Sequence, residues 1–125
     1  MNLAVWIVSG VLAAVFLMAG AAKLPVTAQK LATDPKLAWA TGKPVALVRF
    51  IGLAEVAGAL GLILPGAFDI ATWLVPVAAV GLAVVMVGAI VTHAQRKEWP
   101  NVAVNLVLLA MAVFVAIERF GPQSF

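Results

Sequence analysis

The side chains of this chain that could do chemistry are few. Arg49 and Glu55 stand within the apolar stretch VRFIGLAEVAGALGLILP, residues 48–65, and Lys23, His93 and Asn105 interrupt or end other apolar runs. A charge at mid-bilayer costs about 2.5–3.5 kcal/mol on insertion scales, so an ionisable group there faces a bundle interior, a partner or a water-filled pocket. Lys23, Arg49, Glu55, His93 and Asn105 therefore form the candidate ligand-binding or polar cluster. Arg49 and Glu55 are six residues apart, about 9 Å of rise and about 120° of rotation on a helix, so they do not share one face. Glu55 then meets a group on another helix, contacts a ligand, or stays protonated because burial disfavours its anion. A plainer reading stays open beside these: intramembrane polar groups also serve only to tie helices together.

Other chemistry is excluded by composition. The chain has no cysteine, which removes disulfides, thiolate metal sites and thiol redox steps. Its single histidine makes a dedicated transition-metal site unexpected, so no metal is assigned. No phosphate loop, HExxH or dinucleotide fingerprint occurs, and no self-contained catalytic motif replaces them. A net charge of +3 could indicate nucleic acid, but the basic residues flank apolar segments and form no dense run, so no nucleic-acid partner is expected.

The elements that must position these residues follow from hydropathy. Of 125 residues 65% are hydrophobic and 10% charged, more apolar surface than a globular core of this length could bury. Four apolar stretches, 3–22, 44–64, 70–92 and 100–117, each approach the ~20 residues that cross the hydrocarbon of a bilayer. Backbone groups in lipid must bond internally, so the expected fold is all-α: a transmembrane antiparallel four-helix bundle forming one membrane domain over 1–125. The first stretch has no Lys or Arg before it and is long for a signal peptide, so it is read as a span. Pro44 and Pro100 suit first helical turns, Pro65–Gly66 is expected to end the second helix, and Pro76, inside the third, to kink it.

Lys23, Lys30, Lys36, Lys43, Arg96 and Lys97 lie in or beside the first and third connections, against Arg119 on the other side. The positive-inside rule makes connections 23–43 and 93–99 cytoplasmic, the bacterial cytoplasmic membrane being the expected location. Trp6 and Trp73 fall at one boundary and Trp39 and Trp99 at the other, as indole rings prefer. Connection 23–43 keeps Leu31, Leu37 and Trp39 among lysines, with Asp34–Pro35 breaking any continuous helix; it is either a segment lying on the membrane surface or a solvated loop. Gly52, Gly58, Gly61 and Gly88 are the expected helix-packing positions, and the glycine-rich second helix is expected to be the most buried.

Several of these features together resemble the DoxX-like family of small four-helix membrane proteins. They are AGAAKL with Lys23, RFIGLAE with Arg49, Gly52 and Glu55, GLILP at 61–65, GAIVTH from Gly88 to His93, and then Asn105 and Arg119. The resemblance implies an association with membrane redox assemblies, including quinone-linked sulfur oxidation; more distant relatives resemble assembly factors for other membrane proteins. Without cysteine, any thiol step would fall to a partner. Three functions follow as expectations. The first is a subunit holding a quinone-like ligand among Arg49, Glu55, His93 and Asn105. The second is an accessory or assembly subunit contacting another membrane protein or redox subunit. The third, ranked lower, is transport of protons or small solutes, since four short helices leave little room for a pore unless the chain forms a homo-oligomer. Membrane lipid is the partner common to all three.

Overall fold

The computed structural model describes residues 1–125 and contains helices and turns only. Four long helices are α1 (Asn2–Lys23), α3 (Val45–Phe68), α4 (Leu74–Gln95) and α5 (Trp99–Phe120); a short α2 (Ala28–Thr33) and a 3-10 turn (Pro35–Ala40) occupy the first connection. Each long helix is apolar and long enough to cross a membrane. They form an all-α four-helix bundle in which α1 packs on α3, α3 on α4, α4 on α5, and α5 closes back on α1.

Each helix turns one narrow stripe inward. On α1 it is Val5, Ser9, Leu12, Phe16 and Gly20, and on α3 Val48, Gly52, Glu55, Ala59 and Leu62. The alternating three- and four-residue spacing keeps one face of a helix toward its neighbours. Glu55 is thus a core position of α3. The outward faces carry large apolar side chains such as Leu3, Met18, Phe50, Val84 and Val107. A water-soluble surface rarely carries so much contiguous apolar area, whereas acyl chains solvate it.

Small residues set the helix separations. A Cβ on Gly20 would lie 2.6 Å from Gly52 O, and one on Gly52 would lie 2.7 Å from Lys23 Cβ, so α1 and α3 touch backbone to backbone. Gly58 and Gly61 face Leu82 and Ala78 of α4 in the same manner. Gly88 departs from the expected packing role: it is exposed, and a Cβ there would meet nothing within 4 Å. Nor is α3 the most buried helix, because α1 and α4 bury the same share, 28%, of their apolar windows.

Helix ends differ from the sequence reading where proline and apolar turn residues are involved. α3 runs through Pro65 and Gly66 to Phe68; Pro65 lacks an N–H, but its φ is helical and its carbonyl still accepts from Asp69 N and, at 3.0 Å, from Ile70 N. Asp69, at φ 53° and ψ 40°, then ends the helix in the left-handed conformation. Residues 70–73 form a turn although Ile70 and Trp73 are apolar, so α4 starts at Leu74. Pro76 accordingly sits in the first turn of α4, where its missing N–H breaks no bond and no kink is required.

The first connection is folded. Thr27 Oγ1 accepts from Lys30 N at 3.2 Å to cap α2, and Asp34 Oδ1 accepts from Lys36 N at 2.9 Å to cap the 3-10 turn. Val26, Leu37 and Ala40 are buried against Val48 of α3, flanked by Leu31 and Trp39. This small second core exists because α3 is longer than its neighbour at this end. Gly20 and Lys23, at the end of α1, lie beside Gly52, so residues 45–51, about 10 Å or two turns, project past α1 and offer the connection a surface.

Candidate functional site

Glu55 is 3% exposed, and Lys23 Nζ lies 2.7 Å from its Oε1. The two form an ion pair across the α1–α3 contact. Lys23 Nζ also donates to Ala19 O at 3.3 Å. The pairing follows from the Gly20–Gly52 contact: with no side chain at 52, the lysine stem passes over α3 and its ammonium reaches the carboxylate one turn further in. Glu55 therefore lies one turn inside the end of α1.

The pair borders a cavity of about 360 Å³ at the end of the bundle where the first and third connections lie. Lys23, Glu55, His93, Asn105, Trp39 and Lys43 supply its polar rim, and Leu47, Ile51, Met86 and Ala89 are among its apolar walls. α5 fully buries no residue before Ala112, and Asn105 of its first half borders this space. Gly88 adds room, its missing side chain facing open space in the same wall.

His93 is held from outside the cavity. Its Nδ1 lies 2.9 Å from Glu98 Oε1, and Arg96 Nε donates to the same oxygen at 2.9 Å. The hydrogen bond from His93, and then that from Arg96, outweigh partial desolvation and hold the Glu98 carboxyl below the usual carboxylate range. With Nδ1–H directed at Glu98, Nε2 is the ring atom left for an occupant of the cavity that His93 lines.

Four of the five cluster residues, Lys23, Glu55, His93 and Asn105, meet at this cavity. Arg49 is elsewhere: it is exposed, does not line the cavity, and its Nε donates to Val26 O at 2.8 Å. It belongs to the projecting turns of α3 and fastens the folded connection, which is why this apolar helix carries an arginine. Trp39, Lys43 and Thr92 were not expected at the site. Trp39 and Lys43 come from a connection whose fold depends on the length mismatch between α1 and α3, and no motif marks that mismatch. No group of three or more His, Asp and Glu side chains converges as a metal site would require.

A second buried charge lies at the opposite end. Arg119 is 4% exposed; its Nη1 donates to Asn2 Oδ1 and to Gln123 O, each at 2.7 Å, while its Nε has no partner. The guanidinium lies 4.1 Å from the Phe125 ring centroid and 5.4 Å from that of Trp6. Phe125 packs edge-on to Trp6 and closely over Gly66, so the returning tail plugs this end of the bundle. These contacts hold the arginine inside the plug.

Comparison with curated proteins and with solved structures gives no match. A family model described as DoxX-like matches residues 7–115, from the first turns of α1 to within the last two turns of α5, and the chain belongs to that family.

Proposed function

We propose that this integral membrane protein holds a lipophilic, quinone-like ligand in the cavity between the surface connection, α3, α4 and α5, in support of a membrane redox system. The observation that carries this reading is the lining itself: apolar walls broken by a few convergent polar groups, with the Glu55–Lys23 pair at one side. Asn105, Trp39 and Lys43 offer hydrogen-bond donors to carbonyl oxygens, and Glu55 offers an acceptor to a hydroxyl. The basic residues gathered at this end favour the cytoplasmic side for the cavity mouth.

The test is extraction and mass spectrometry of lipids retained by gently purified protein. Wild type should carry quinone in excess of Gly88→Leu, a change that fills open space in the cavity wall and improves helix propensity. Equal amounts in the two proteins would refute the reading.

A second reading, an accessory or assembly subunit, draws on a groove of about 340 Å³ between α3 and α4, lined by Ala54, Ala57, Gly58, Gly61 and Gly81 among others. Small residues of this kind allow a partner's transmembrane helix to approach closely. A photo-crosslinker at Gly81 in native membranes should then capture one reproducible membrane protein; labelling of lipid alone would dismiss this reading.

A further inference from the structure

We propose that the cavity selects a lipophilic oxyacid, an amphiphile with an anionic oxygen head and an apolar body, and that Lys43 is the residue that selects it. The inference rests on the reading of the cavity as a ligand site but gives its preferred occupant a negative charge, which a neutral quinone lacks.

The chain has five carboxylates, and none is left for Lys43. Glu55 is paired with Lys23, Glu98 holds His93 and Arg96, and Asp34 Oδ1 accepts from Lys36 N. Asp69 and Glu118 belong to the other end of the bundle, at the α3 C-terminus and beside Arg119. The Lys43 ammonium makes no ion pair or hydrogen bond in the chain, yet the residue is half-buried and lines the cavity. Among the lining residues, Lys23 and Lys43 against Glu55 leave one positive charge in excess. Trp39 and Asn105 add N–H groups without partners in the chain, and the Asn105 carbonyl and the Thr92 oxygen, whose hydrogen goes to Gly88 O at 3.0 Å, remain as neutral acceptors. A site with surplus positive charge favours an occupant that brings a negative charge. Leu47, Ile51 and Ala89 give the apolar body of that occupant its walls.

The same head chemistry could come from a free acyl acid or from the headgroup of an anionic phospholipid, and the experiment separates them. Full-length protein in phosphatidylcholine nanodiscs is titrated with decanoate, decanol and a decyl-substituted benzoquinone, specific binding being the part abolished by Gly88→Leu. Decanoate should bind about tenfold more tightly than decanol, as a charge-assisted hydrogen bond allows. Lys43→Gln should remove that preference and leave the melting temperature unchanged, since Lys43 has no partner in the chain. Replacing phosphatidylcholine with phosphatidylglycerol should weaken decanoate binding by competition if a phospholipid headgroup is the natural occupant, and leave it unchanged if a free acid is. Equal affinity for decanoate and decanol, or a preference that survives Lys43→Gln, overturns the proposal. If the neutral quinone then still binds in a manner sensitive to Gly88→Leu, the ligand-site reading stands without it. If none of the three probes binds in that manner, both fall.

Discussion

The two ends of the bundle each bury a charge, and they treat it in opposite ways. At one end Glu55 has a countercharge 2.7 Å away and borders a cavity. At the other, Arg119 has no carboxylate partner; two carbonyl-type oxygens and two aromatic rings surround it, and the returning tail fills the space around it. One end is built to leave room and the other to remove it. A buried ionic group by itself therefore does not mark a site, because both ends have one. What separates them is the empty volume beside the charge, bordered by Gly88 and by Asn105 in the half of α5 that fully buries no residue.

Substitutions at the two ends should separate these roles. The largest effect is expected at the close contact beside the cavity. In Gly20→Leu the new side chain would be driven into Gly52 O and the Val56 backbone, costing about 3 kcal/mol or more and lowering the unfolding midpoint in mild detergent; an unchanged midpoint would mean that α1 and α3 do not touch there. Next comes Lys23→Met, which strands a buried carboxylate at a cost of about 3 kcal/mol, whereas the double change Lys23→Met with Glu55→Leu should regain most of it. If the double variant is as unstable as the single, the ion pair is not the source of the loss. At the closed end, Arg119→Met should cost about 2 kcal/mol and expose the tail to protease, with ligand retention at the far cavity unaltered. Ligand lost together with the tail would show that the ends are coupled.

The smallest effect concerns the outer support of the cavity. The folded-state pKa of Glu98 is depressed, so its contribution to stability is complete above the unfolded value, about 4.3, and is lost as pH falls through the lower folded value. A pH titration of the melting midpoint should show a slight acid-side decline in wild type that Glu98→Gln lacks. A decline of equal size in both would remove Glu98 as its origin.

Much of this architecture was legible in the sequence because lipid imposes simple rules. Four apolar runs had to be helices, and Glu55 had to face inward. Gly58 and Gly61 were readable as contacts with a neighbour because small-residue spacing has a direct steric meaning. Relative register was not readable. Arg49 and Glu55 both interrupt one apolar helix, yet α3 overshoots α1 by about two turns, which leaves Arg49 in the turns that fasten the first connection and Glu55 in the core. Helix ends misled where apolar residues form a turn, as at Ile70 and Trp73, and where proline is carried inside a last turn, as at Pro65. The return of Phe125 onto Gly66 and Trp6 depends on a contact between chain positions far apart, which no local pattern encodes.

The backbone contact between Gly20 and Gly52 also limits how the protein can move. Sliding α1 lengthwise along α3 would drive the side chain of Val56 or Lys23 into the opposite backbone, so this pair behaves as a fixed post. The first half of α5, which has no fully buried residue, meets no comparable stop. The bundle is thus pinned lengthwise on the α1–α3 side, while on the α5 side the turns around Ala112 and Val115 are the ones fully enclosed by the core.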